Sequence, residues 1–186
     1  MIRPIVQYGE PVLRAKCAPV EEVTDEIREL VDDMLETMRH AEGVGLAAPQ
    51  VGVPLQLAVI DVSHDPECVT YLRVDGVETS LEELMPLIFI NPDLGLEAPK
   101  VADNEGCLSF PEIRAPINRP EQVKATLKTL EGKTIVVETD GLLSRAIQHE
   151  TDHLNGILFI DRMNAASKVS LKGRLRRLKA HTTGSR

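Results

Sequence analysis

His149-Glu150-Thr151-Asp152-His153 is an H-E-x-x-H pattern within a stretch of helical apolar spacing. Four residues along a helix turn about 400°, so both imidazoles leave one face about 6 Å apart and can share a metal ion. Glu150, one position on, can reach a water on that ion while angled off the ligand pair. The composition of this chain predicts about 0.01 chance occurrences of the pattern, so two unrelated histidines on a solvated helix are the weaker account. Two histidines leave such a site incomplete, because catalytic sites usually have three protein ligands and an open position for water. Carboxylates and cysteine are the candidates for the third. Cys107 lies in the tight segment Glu105-Gly106-Cys107-Leu108-Ser109-Phe110-Pro111, whose glycine lets backbone approach closely. Taken alone, Cys107 reads as a buried inert thiol. Beside a histidine pair a thiolate ligand becomes attractive, since coordination removes its proton. Cys17 and Cys68 read as small residues without a role in the site.

The elements that must carry these residues follow from periodicity and punctuation. Val23, Ile27, Leu30, Val31, Met34, Leu35 and Met38 predict an amphipathic helix over 25–40, capped by Thr24 and ended by Gly43. Residues 43–52 read as a loop of small residues, and Leu55–Val62 as a strand. The polar, acidic residues 63–86 read as a surface excursion with strand-like pieces around Val69–Val74. Short strands are expected at Leu87–Asn91, Leu94–Glu97 and Ile157–Ile160. Val123–Leu130 and Lys133–Thr139 flank Glu131-Gly132 as a hairpin. The H-E-x-x-H helix is expected over Leu142–Asn155, between Asp140 and Gly156. A basic helix over Lys168–Lys179 would place Val169, Leu171, Leu175 and Leu178 on its apolar side, with Gly173 weakening it. The fold class is α+β, with mostly antiparallel sheets around a central metal-binding helix and a C-terminal helix.

With 186 residues, 42% of them hydrophobic and 27% charged, the chain has the composition of a globular domain, expected over residues 1–167, followed by a tail at 168–186. Aromatic residues are only 3%, too few for a platform that stacks single-stranded nucleic acid. No stretch approaches the ~20 apolar residues of a membrane span, and the opening Met1-Ile2-Arg3-Pro4 has no apolar signal core. Three cysteines, an odd number, argue for a reducing compartment, so the expected location is cytoplasmic. The net charge of −8 is uneven: residues 168–186 hold seven of 21 basic residues and none of 29 acidic ones, leaving −15 before them and +7 within. Such a tail is either a solvated face or a surface that docks on a polyanion.

Gly43-Val44-Gly45-Leu46-Ala47-Ala48-Pro49-Gln50, then Glu105-Gly106-Cys107-Leu108-Ser109, then Gln148-His149-Glu150-Thr151-Asp152-His153-Leu154 resemble the three signature motifs of the bacterial-type peptide deformylase family, in its order and at family-like spacing. The likeness covers nearly the whole chain, Asp140-Gly141-Leu142-Leu143 included. It implies a metal-dependent hydrolase that removes the formyl group from the N-terminal methionine of nascent polypeptides. Cys107, His149 and His153 would be the metal ligands and Glu150 the general base. The Gln50 amide and the Leu108 backbone N–H would hold the oxyanion. Val44, Leu142 and Ala146 match pocket positions, and the Gly45 backbone would meet the substrate main chain, although Gly43 and Gly45 also read as turn glycines. The resemblance favours Fe²⁺, and the donor set suits Zn²⁺, Ni²⁺ or Co²⁺ as well. Glu105 either pairs with Arg114 or Arg119 to brace the site, or all three are surface charges. Arg145, one turn before His149, is expected at the pocket rim. The partners implied are formyl-methionyl nascent peptides and, through the basic tail, ribosomal RNA without recognition of a specific sequence; no membrane is expected. Two other readings stay open. A metalloendopeptidase would use the same helix with room for chain on both sides of the bond. A non-catalytic ribosome- or metal-binding protein would use the ion only to staple its fold.

Overall fold

The computed structural model describes residues 1–96 and 98–184. Helix α1 (Asp25–His40) opens where the Thr24 hydroxyl accepts from the Ile27 N–H at 3.4 Å, and acidic Asp25 and Glu26 face its positive end. Glu42, not Gly43, takes the left-handed backbone that ends it (φ 54°), while the Gly43 N–H donates to the Met38 carbonyl at 2.9 Å. Within the expected loop, Gly45–Ala47 forms a strand, β1, before a 3₁₀ turn at Ala48–Val51. It pairs antiparallel with β2 (Leu57–Ile60). Residues 63–86 contribute β3 (Leu72–Val74), β4 (Val77–Glu78) and the short helix α2 (Leu81–Leu84).

The two strands expected before residue 98 are one, β5 (Leu87–Gly95), bent by a register shift between Ile90 and Asp93. Asn91 sits in that bend at φ 51°, and its side chain bonds both the N–H and the carbonyl of Val20. Glu97, the end of the second expected strand, lies outside the described residues, as does Arg186 of the tail. Strands β6 (Lys100–Gly106) and β7 (Arg114–Pro120) form a separate two-stranded hairpin. Next come β8 (Val123–Lys128), β9 (Thr134–Thr139), α3 (Gly141–Leu154) and α4 (Ala165–Gly184). The short strand expected at Ile157–Ile160 is instead a 3₁₀ turn at Phe159–Arg162. The Asp161 carboxylate accepts from the Leu158 N–H there and closes the turn.

The fold is α+β, as expected: a seven-stranded antiparallel sheet ordered β1-β2-β5-β8-β9-β3-β4, wrapped by helices on both faces. The residues expected as a surface excursion supply its last two strands, through pairing of β3 with β9. Strand β2 is buried throughout because alternate side chains serve two cores. Ala58 and Ile60 pack with Leu143, Ile147 and Leu154 of α3, whereas Leu57 and Val59 pack with Leu30, Met34 and Met38 of α1. Each such buried aliphatic side chain contributes about 1.5–3 kcal/mol. A third cluster joins Phe110, Ile117 and Phe159 to Tyr8 and to Leu171, Leu175 and Leu178 of α4. Val169 does not share that face: two residues before Leu171 is about 200° around the helix, and it is 77% exposed.

The start of α3 is fixed from outside the helix. Asp140, its N-cap residue, turns its carboxylate to the backbone N–H groups of Thr70 (2.8 Å) and Tyr71 (3.0 Å) instead of capping its own helix. Gly141 follows in left-handed backbone (φ 55°), and a Cβ there would stand 1.9 Å from the Cys68 carbonyl oxygen. Gly132 shares that backbone (φ 78°) but has open space around it. Gly141→Ala is therefore expected to cost about 2–4 kcal/mol, against about 1 kcal/mol for Gly132→Ala. The two melting temperatures check this, and equal losses would show that the Cys68 contact constrains nothing.

Candidate active site

Residues 146–154 of α3 are all buried, although the run includes Gln148, His149, Glu150, Thr151, Asp152 and His153. Buried polar groups are costly without partners, and the β6–β7 hairpin supplies most of them. Gln148 donates to the Pro120 carbonyl (2.9 Å), and Asp152 accepts from Arg119 (2.8 Å) and from both ends of the Arg162 fork (2.5 Å each). Glu105 of β6 faces His149 Nδ1 at 3.1 Å and is gripped by Arg119 (2.5 and 2.9 Å) and Arg145 (2.7 Å). Burial pushes the Glu105 carboxyl up, but the hydrogen bonds from His149 and Arg119 outweigh it and hold it well below the usual carboxylate range. Of the two candidate partners, Arg119 is the one that pairs with Glu105. Arg114 is exposed and its side chain lies beside Gly106.

Cys107 directly follows β6, and its Sγ stands 3.3 Å from His153 Nε2. Donor atoms of Cys107, His149 and His153 all lie within 4.8 Å of one another. Because His149 Nδ1 meets Glu105, its other ring nitrogen is left for the Cys107 side. Tetrahedral coordination at ordinary metal–nitrogen and metal–sulfur lengths separates such donors by about 3.4–3.6 Å. The Cys107–His153 pair already stands near that separation, and the three donors together form a group able to hold a metal ion. Burial depresses the basicity of both imidazoles. For His149 the hydrogen bonds to Cys107 and Glu105 reverse that, whereas His153 stays well below its ordinary value beside His149.

Glu150 is buried next to this group (4% exposed), and its Oε2 has no hydrogen-bond partner among the described residues. Burial pushes its carboxyl up to about 7, against the opposing pull of His149. Its nearest neighbour explains Gly45: a Cβ on Gly45 would stand 2.4 Å from Glu150 Oε1. At Gly43 a Cβ would meet Leu108 Cδ1 at 2.7 Å. Neither glycine has left-handed backbone; close approach to the buried Glu150 side chain accounts for Gly45, whereas at Gly43 the atom met is the movable end of Leu108. Gln50 accepts from the Ala47 N–H through Oε1 (2.9 Å), which aims its NH₂ at Cys107 Sγ (3.4 Å) and Ser109 Oγ (3.2 Å). Leu108 occupies the Cys107–Phe110 turn, closed by a bond from the Phe110 N–H to the Cys107 carbonyl at 2.9 Å.

A cleft of about 510 Å³ runs over the group. Val44, Gly45, Gln50, Cys107, Leu108, Leu142, Ala146, His149 and Glu150 all border it. His153 is 1% exposed and lies beneath. Of the supporting charges, Asp152 and Arg162 were not singled out by sequence. The signal for Asp152 was its place inside the H-E-x-x-H run.

Residues 2–169 match the family model described as Polypeptide deformylase. A peptide deformylase of Methylacidiphilum infernorum is 48% identical over 179 residues, which is 96% of this chain and 94% of that protein. One of Acidobacterium capsulatum is 41% identical over 178 residues, 96% of each. Among solved structures, the peptide deformylase of Ehrlichia chaffeensis superposes with a TM-score of 0.82 at 32% identity, covering 95% of this chain and 96% of that one. That of Thermus thermophilus gives 0.79 at 36% identity, covering 97% and 99%. Match length, identity and shared architecture agree across nearly the whole chain: it belongs to the polypeptide deformylase family.

Proposed function

We propose that this chain hydrolyses the N-formyl amide of formyl-methionyl nascent peptides, with Cys107, His149 and His153 holding a divalent ion and Glu150 acting as general base. The family is one of enzymes that deformylate nascent peptides. The observation that carries the residue roles is the buried, unpartnered Glu150 oxygen beside a Cys-His-His group at the floor of a cleft. A carboxylate kept dry and near neutrality suits proton transfer and serves no purpose in a fold-stapling site. An ion bound by the three ligands supplies Lewis acidity, polarising the formyl oxygen and making water nucleophilic near neutral pH.

The residues divide the remaining work. Val44, Leu142 and Ala146 offer an apolar wall for the methionine side chain. Strand β1 is terminal in the sheet order among the described residues, so the main chain at Gly45 can pair with an extended peptide. Glu150 takes a proton from the attacking water as the new C–O bond forms. The Gln50 NH₂ and the Leu108 N–H point charge-stabilising donors at the formyl oxygen, each typically worth about 3–4 kcal/mol in the transition state. Glu150 then returns the proton to the departing nitrogen as the C–N bond breaks, releasing formate and a free amino terminus. Fe²⁺ is the proposed native ion, with Zn²⁺, Ni²⁺ or Co²⁺ able to take its place on this donor set.

The proposed second partner is ribosomal RNA. Leu171, Leu175 and Leu178 hold α4 to the body, which leaves Lys172, Arg174, Arg176 and Arg177 exposed. No helix among the described residues is long and apolar enough to cross a membrane. The proposed location is the cytoplasm.

Glu150→Ala is expected to keep one bound ion per chain and to lose about 10²–10⁴-fold in formate release from formyl-Met-Ala-Ser. Gly45→Ala, which pushes a methyl onto the same carboxylate, is expected to fall between it and wild type. Metal analysis with a formate assay checks both, and near-wild-type turnover in Glu150→Ala would remove the general base from the account. Reversing Arg174, Arg176 and Arg177 to Glu is expected to abolish co-sedimentation with ribosomes at low salt while sparing turnover of the short peptide. Unchanged co-sedimentation would leave the basic face as solvated surface only.

A further inference from the structure

The ligands belong to two elements with no strand pairing between them. Cys107 directly follows β6, in the loop of a hairpin that is a separate sheet from the seven-stranded one, while His149 and His153 ride on α3. A two-stranded hairpin outside the main sheet is marginally stable by itself, so its position depends on the Phe110–Ile117–Phe159 cluster and on its bonds to α3. Arg145 lies one turn before His149 on the same helix face, and its side chain is 12% exposed. One guanidinium nitrogen donates to Glu105 Oε1 (2.7 Å) and to the Ile117 carbonyl of β7 (3.0 Å). The second terminal nitrogen donates to the Val101 carbonyl of β6 (3.0 Å), and Nε faces the exposed Asp103 carboxylate at 4.0 Å. A single planar fork thus bonds the main chain of both hairpin strands and the carboxylate that orients His149.

We infer that Arg145 is a positioning residue: it clamps the β6–β7 hairpin to α3 and thereby sets how closely Cys107 approaches His149 and His153. The inference rests on the reading of those three residues as metal ligands. Arg119 does a different job. It is itself part of β7, and its bond to Asp152 ties the hairpin to α3 through a buried side-chain pair, whereas its bonds to Glu105 stay within the hairpin; none of them reaches a backbone oxygen. Among the described residues, Gln148 of α3 also bonds the backbone of β7, at Pro120, but Arg145 is the helix residue that reaches backbone oxygens of both strands. Lysine cannot replace it, because a compact ammonium has no rigid fork to span three acceptors. Arg145 also borders the cleft, so the competing role is a pocket wall that selects the substrate side chain. A wall would act on KM, whereas a clamp acts on the ion.

The test uses wild type, Arg145→Met and Arg145→Lys, each stripped of metal and loaded with Co²⁺. Three quantities are read: the thiolate-to-cobalt and ligand-field absorption bands, the rate of Co²⁺ loss to a chelator, and kcat with KM for a formyl-methionyl peptide. Arg145→Met is expected to shift the ligand-field bands and to lose Co²⁺ about 10–100-fold faster. Its kcat falls while KM stays within about twofold of wild type. Arg145→Lys is expected to lie between the two. Wild-type bands and loss rate in both variants, with KM alone changed, would overturn the clamp and leave a pocket wall. If circular dichroism shows Arg145→Met unfolded, a wild-type loss rate in Arg145→Lys overturns the proposal by itself. Absence of the thiolate band in wild type would remove the metal site and this inference with it, an outcome plainly different from the other two.

Discussion

A buried charge network joins the β6–β7 hairpin to α3, and the rest of the site depends on it. Six polar residues in a row on the central helix are withdrawn from water, which a small domain tolerates when they find partners. Glu105, Arg119 and Arg162 from outside the helix, with Asp152 and Arg145 on it, form a network of charge-assisted bonds of 2.5–2.9 Å. Removing one member of such a network typically costs about 3–5 kcal/mol, because its partner is left charged and dry. Within that run the network leaves Glu150 Oε2 unanswered, as well as Thr151 Oγ1 and His153 Nδ1. The fold thus tolerates one unsatisfied acid at the place where the cleft meets the Cys-His-His group.

The same packing explains why so small a body can carry the site rigidly. Helix α3 is held along one side by the large sheet through Leu143, Ile147 and Leu154, and at its start by Asp140 reaching across to Thr70 and Tyr71. Its polar side meets the hairpin. Strand β1 comes so close that a Cβ at residue 45 would press on the Glu150 carboxylate, which brings the main chain of an edge strand beside the proposed base. The proposed substrate strand, base and histidine ligands are thereby referred to one helix.

What could be read from sequence was local. The helix over 25–40 announced itself by spacing and by Thr24, and the H-E-x-x-H helix and the β8–β9 hairpin did so in similar ways. Strands β1, β6 and β7 were not legible. Gly-Leu-Ala has no alternation, β6 is mostly exposed and polar, and β7 breaks its pattern with two prolines and a buried arginine. That gap had a cost at the site. Ala115, Ile117 and Arg119 are the inward residues of β7, so the strand itself selects Arg119 over Arg114 as the partner of Glu105. Without the strand, the choice stayed open. Arg145 showed the same limit: its place before His149 was visible, but its acceptors are backbone oxygens of strands unseen in the sequence. The pairing of Cys107 with distant histidines likewise came through the resemblance to a family, since no local rule links residues 42 and 46 positions apart.

The central claim is that one sulfur and two imidazole nitrogens converge on a single ion with a position to spare. X-ray absorption of the zinc-loaded protein tests it most directly. The account predicts one sulfur at about 2.3 Å and two imidazole nitrogens at about 2.0–2.1 Å, with the sulfur shell lost in Cys107→Ser. A wild-type shell of nitrogen and oxygen alone would contradict it.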